Sequence, residues 1–244
     1  MDFVPQNGGL VLFGGGAPFV NGETWLYDGS NWSQLSPANS PGGRFGAEFV
    51  YDSARAVGVL YGGLASNISI PPPTNETWEW DGANWTQATP TNNAGPRYRY
   101  GACFDFVRSR LVMFGGTNTQ LLSPPINQTW EYDGTTWSQI TTAGTPGGRD
   151  RPAMCFYPGL VSSVMFGGYN GISLTDETWL YDGIAWTQVA ITGSKPSPRN
   201  AAKMIYDPVR GHCVLTGGQD VSGQLSDTWI FDGATWTEQP GTTQ

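Results

Sequence analysis

Four arginines stand at one fixed distance from a pair of glycines. Arg44, Arg97, Arg149 and Arg199 each precede the first glycine of Gly62-Gly63, Gly115-Gly116, Gly167-Gly168 or Gly217-Gly218 by 18 residues. Two of them are followed, two positions on, by another arginine, which groups Arg97, Arg99, Arg149 and Arg151. Side chains two apart on a strand share a face, and guanidinium groups suit bidentate recognition of carboxylates. In a chain of formal net charge −8, four such groups together would make a local anion-reading site. The bland alternative is that these arginines bond turn carbonyls or neighbours such as Asp150. For Arg44 and Arg199 the bland reading is preferred; for the group of four both readings stay open.

Other chemistry is thinly provided. The single histidine, His212 in "GHCVL", opens an apolar strand and has no partner in the pattern. No P-loop, G-x-S-x-G, H-E-x-x-H or C-x-x-C is present, and copper, zinc and haem find no ligand set. Neither a metal nor a cofactor is expected. Asp28, Asp81, Asp133, Asp182 and Asp232 are each followed by glycine, which points to local hydrogen bonding in turns and away from calcium. Cys103 and Cys155 lie six residues beyond Arg97 and Arg149. With Cys213 they make an odd count without metal spacing, so buried free thiols are expected in preference to a disulfide.

Composition narrows the classes further. Only 13 % of residues are charged and no basic run occurs, which argues against nucleic acid as a partner. No stretch approaches the roughly 18 to 20 apolar residues of a membrane span, and "MDFVPQNGG" has neither part of a signal peptide. Five glycosylation sequons, from Asn31, Asn67, Asn75, Asn84 and Asn127, arise largely from the repeat and leave the compartment unknown. A mature secreted or periplasmic module is the localisation favoured.

The elements that must position these residues come from a repeat. "TWLYDGSNW" at 24–32 returns as "TWEWDGANW", "TWEYDGTTW", "TWLYDGIAW" and "TWIFDGATW", with its first Trp at 25, 78, 130, 179 and 229. A period near 50 residues is that of propeller blades. Each unit reads as four strands: an arginine-led strand such as "RFGAEFVYD", an apolar strand such as "VGVLY" closed by the diglycine, an alternating "ETWLYD", and, after an Asp-Gly turn, a strand opened by the second Trp. Ten of the eleven tryptophans fill the two repeat positions; Trp80 stands where the other units carry Tyr or Phe. The Trp pairs are expected to cement one blade to the next. The fold expected is all-β, one five-bladed β-propeller of four-stranded antiparallel blades over residues 1–244. Its units fall at about 1–40, 41–93, 94–145, 146–195 and 196–244. The first unit lacks its arginine position. A closed, monomeric five-blade ring with a weakened seam is favoured over membership of a larger ring.

These marks resemble the kelch-repeat family of β-propellers: the arginine-led first strand, the diglycine, the aromatic in the third strand and the Trp opening the fourth. The resemblance covers nearly the whole chain, five times over. It departs in blade number, six or seven being common in that family. It implies that the first-strand arginines lie at one mouth of the central channel, where some members grip acidic peptides. Galactose-oxidase-like kelch enzymes hold copper with several histidines and tyrosines, a set this chain does not have.

The loops between diglycine and "TW" differ in length between units. The two longest, "LASNISIPPPTNE" (64–76) and "TNTQLLSPPINQ" (117–128), carry Ile70, Leu121 and Leu122 beside prolines. Proline-stiffened apolar loops on a rigid scaffold make good binding surface, or else they cover a blade edge. The leading functional reading is a non-enzymatic scaffold that recognises a protein, an acidic peptide or a glycan through this loop face. Two alternatives remain: a sugar mutarotase or epimerase of kelch type using Arg and Glu48, and a purely structural module of a larger extracellular protein.

Overall fold

A computed structural model describes residues 1–16, 20–65, 72–118 and 124–240. Five four-stranded antiparallel sheets follow one another along the chain. Blade 1 holds β1 (Asp2–Val4), β2 (Gly9–Gly16), β3 (Val20–Tyr27) and β4 (Trp32–Leu35). Blade 2 holds β5 (Phe49–Asp52), β6 (Val57–Tyr61), β7 (Thr77–Trp80) and β8 (Trp85–Ala88). Blade 3 is β9 (Tyr98–Asp105), β10 (Arg110–Thr117), β11 (Thr129–Tyr132) and β12 (Trp137–Ile140). Blade 4 is β13 (Ala153–Tyr157), β14 (Ser162–Phe166), β15 (Thr178–Tyr181) and β16 (Trp186–Gln188). Blade 5 comprises β17 (Lys203–Asp207), β18 (His212–Thr216), β21 (Thr228–Phe231) and β22 (Trp236–Gln239), with the ribbon β19 (Gln219–Asp220) and β20 (Gly223–Gln224) between them. The first strands of all five blades line one central cavity of about 440 Å³. The chain is thus an all-β, five-bladed propeller.

Apolar runs become the second strands, which in blades 2 to 4 are sandwiched between neighbours and buried on both faces; every residue of Ser162–Phe166 is buried. The diglycines follow β6 and β14 and fall within the last residues of β2 and β10, and in all four blades the next blade's backbone crosses there. A Cβ on Gly62, Gly115 or Gly167 would lie 2.4 to 2.5 Å from the carbonyl oxygen of Arg97, Arg149 or Arg199. The second glycine then donates its N–H to that same carbonyl, at 2.9, 2.8 and 2.8 Å.

The two tryptophans of each phrase divide their work, where the repeat alone suggests one shared role. The fourth-strand Trp joins blades. Trp85, Trp137, Trp186 and Trp236 are buried and donate Nε1–H to Thr24, Thr77, Thr129 and Thr178 of the preceding blade at 2.8 to 3.1 Å. Their rings meet Phe13, Tyr61, Phe114 and Phe166 at 4.6 to 5.2 Å. The third-strand Trp is bonded within its own blade, to the side chain two residues before it, as in Trp78 to Glu76 at 3.0 Å.

Four apolar clusters fill the joints from blade 1 to blade 5. Among the described residues, none joins blade 5 back to blade 1, so the seam of the expected five-blade ring carries no apolar cluster. Trp32 is 46 % exposed. Blade 5 carries the exposed Thr216 where the other blades place an aromatic, and Thr216 is paired to Thr228 at 3.2 Å. What spans the open side is Lys203 of blade 5, which donates to both carboxylate oxygens of Glu48 in the stretch leading into blade 2, at 2.8 and 3.0 Å.

Candidate ligand-binding mouth

The four repeat arginines are buried clamps. Arg44 donates Nε–H to Gly42 O at 2.9 Å, one terminal nitrogen to Gly62 O at 3.1 Å and the other to Glu76 at 2.8 Å. Arg199 repeats the pattern on Ser197 O, Gly217 O and both oxygens of Asp227. Arg149 is bonded to Gly148 O and Glu177, and Arg97 to Ala94 O, Gly115 O and Gln128. The acceptor that each arginine meets, Glu76, Gln128, Glu177 or Asp227, also takes the indole N–H of the third-strand Trp. Arginine, diglycine and tryptophan therefore belong to one device, which closes the blade's end against its own first strand.

Burial costs a guanidinium its hydration. The acceptor of Arg97 is the neutral Gln128, and burial pushes Arg97 down to about 10. Arg149 is lowered by the same cause, against which Glu177 works. The Arg199 guanidinium holds the Asp227 carboxyl below its ordinary value.

Arg97 and Arg149 are each only 2 % exposed, so the expectation that they share an open face with Arg99 and Arg151 is corrected. The physical reason is the backbone. Two-apart alternation requires extended residues, and Arg99 and Arg151 sit at φ 59° and 54°, which turns their side chains away from the clamps. Gly46 and Ala201, two positions beyond Arg44 and Arg199, share this left-handed conformation at 69° and 56°. Hydrogen bonds run from one to the next around the mouth: Arg99 N–H to Gly46 O at 2.6 Å, Arg151 N–H to Arg99 O at 2.7 Å, and Ala201 N–H to Arg151 O at 3.0 Å.

Arg99 and Arg151 are thus adjacent, half-exposed and set on a rigid hydrogen-bonded arc. The Arg99 guanidinium lies 4.8 Å from the Tyr98 ring centre and 6.0 Å from that of Phe45, within range of cation–π attraction. Arg151 Nε is 3.3 Å from Asp150 Oδ2. The other oxygen of Asp150 is buried and has no hydrogen-bond partner among the described residues. The arrangement offers two forked donors to a carboxylate, with one acidic neighbour beside them to tune the field.

Ile70, Leu121 and Leu122 lie outside the described residues. The base of the blade 3 loop is described, and it leans on blade 4. A Cβ on Gly171 would sit 3.1 Å from Pro125, and Gly148 faces Pro125 O too closely for any side chain. Tyr169 and Ile172 are exposed in the shorter blade 4 loop. Attention to the longest loops misses them; the signal available was Ile172 in a glycine- and asparagine-rich turn, where nothing structural asks for an apolar residue.

The remaining chemistry-bearing residues are placed as follows. Each turn aspartate accepts two backbone N–H groups, those of Ser30 and Asn31 on Asp28 Oδ1 at 2.8 Å being the first. Among the described residues, no cluster of three His, Cys, Asp or Glu could hold a metal ion. Glu48 lines the central cavity with Lys203, to which it is bonded.

A family model described as the KLHDC2/KLHL20/DRC7 Kelch-repeats domain matches residues 3–206. Among curated proteins, the dynein regulatory complex subunit 7 of Chlamydomonas reinhardtii is 36 % identical over 77 residues. That match takes in 30 % of this chain and 6 % of the relative, so it corresponds to a small part of that protein.

Proposed function

From the premise that the chain belongs to the Kelch-repeat family of propellers, we propose that it is a non-catalytic scaffold that binds an acidic segment of a protein partner at its channel mouth. The observation that carries this reading is the contrast between two kinds of arginine. The repeat arginines are buried and bonded within their own blades, whereas Arg99 and Arg151 stand side by side, half-exposed, in a conformation that costs a non-glycine residue roughly 1 to 2 kcal/mol. Blades 2 and 5 place Gly46 and Ala201 there, so the arc itself does not need arginine. The relative is by its name a subunit of a complex, which suits a scaffold role. Glu48, the residue an acid–base enzyme of this fold would use, is instead tied to Lys203.

The test is titration with a glutamate-rich synthetic peptide and its glutamine-substituted counterpart. Only the acidic peptide is expected to bind, more weakly as salt rises. Replacing Arg99 and Arg151 together by glycine keeps the left-handed backbone, and should lower affinity at least tenfold while leaving the melting temperature unchanged or higher. Equal affinity of the double variant would remove these residues from the site.

A further inference from the structure

Cys155 on β13 and Cys213 on β18 face each other across the joint between blades 4 and 5, Sγ to Sγ 3.0 Å apart. Both are buried in one apolar cluster with Val164, Phe166, Leu215 and Phe231. Their positions are fixed by the sheets: Cys155 lies opposite Val164 and Cys213 opposite Phe231. Cys103, one blade away, donates to Ser163 Oγ at 3.3 Å instead. The sequence sets Cys103 and Cys155 as equivalents and hides the true neighbour, because Cys213 comes from a second strand and not a first.

We propose that Cys155 and Cys213 are a disulfide-forming pair, a covalent staple between blades 4 and 5 made when the chain folds in the presence of a small disulfide oxidant. The Cys213 or Cys155 thiolate attacks one sulfur of the oxidant, which releases one small thiol and leaves a mixed disulfide. The second cysteine thiolate attacks the protein sulfur of that mixed disulfide and releases the other small thiol. Both protons end on the small thiols, and the two electrons lost by the cysteines reduce the oxidant.

The place of the staple gives it a purpose. In stacked repeats each unit is stabilised chiefly by its neighbours. Among the described residues blade 5, like blade 1, has an apolar joint on one side only, so it depends on the single interface with blade 4. A cross-link over 58 positions of sequence spans that interface. Since the pair is buried when blade 5 is docked, oxidation takes place during folding or when that blade opens.

The full chain, reduced and unfolded, is refolded in oxidised and reduced glutathione, and its thiols are counted in denaturant. One thiol is expected in place of three. Proteolysis and mass spectrometry should find a linked pair containing Cys155 and Cys213, and the melting temperature should exceed that of the reduced protein by about 5 to 10 °C. Cys103→Ser should keep the cross-link, and Cys213→Ser should lose it with the reduced fold intact. Three free thiols after refolding, or a bridge that includes Cys103, would overturn the proposal.

Discussion

A tryptophan's contribution depends here on which of its two repeat positions it holds. At the fourth-strand position the ring fills a joint and the indole N–H is matched by a buried threonine hydroxyl, so truncation opens a cavity and orphans an acceptor together. Trp137→Ala should cost about 3 to 5 kcal/mol, and Trp32→Ala, at the same position on the open face of blade 1, less than about 1 kcal/mol. Chemical denaturation of the two variants checks this; equal losses would mean that the face of Trp32 is covered in solution. Trp80 shows a limit of consensus reasoning. Standing where other units carry Tyr or Phe, it reads as a tolerant site, yet it is wholly buried and donates to Asn7 of blade 1 at 3.0 Å. The mouth arginines were half legible for a related reason: residue type and spacing name them, but alternation presumes extended backbone, and a positive φ at Arg99 or Arg151 leaves no mark in a sequence without glycine.

The hairpin between third and fourth strands was the most legible element, since Asp-Gly between two strand-like runs has few other conformations. It also carries a pH dependence. Backbone N–H donors hold the Asp28, Asp81, Asp182 and Asp232 carboxyls below the usual value. A carboxylate whose folded value is depressed contributes stability that is present above its unfolded value, near 3.9, and lost as pH falls through the folded one. The melting temperature should therefore drop steeply below about pH 4. Replacing Asp81 and Asp182 together by asparagine, which also favours this turn, should flatten that drop and change little at neutral pH. An unaltered acid limb in the double variant would assign the loss elsewhere, for instance to Asp227 beside Arg199. The loop tips were the least legible elements, because their lengths vary and no periodicity ties them to the sheets.

For the whole molecule the repeat fixes what each blade face requires, and the open side departs from it in a readable way. Phe13, Tyr61, Phe114 and Phe166 precede the diglycines of blades 1 to 4, while Thr216 precedes that of blade 5. That substitution removes the aromatic on which a following Trp would rest, and it is legible in the amino-acid sequence alone. Among the described residues, blade 3 has an apolar cluster on both faces, shared with blades 2 and 4, whereas blades 1 and 5 have one each. With nearest-neighbour terms dominating, opening should begin at blades 1 and 5 and reach blade 3 last. Native-state hydrogen exchange should give the slowest amides in β10, whose Leu111–Phe114 core is buried, and the fastest sheet amides in β4 and β22. Breaking the Lys203–Glu48 bridge with Lys203→Met should speed exchange in the end blades alone. If protection is uniform, or if that variant loosens blade 3 equally, the five blades open as one cooperative unit and the open side has no energetic meaning.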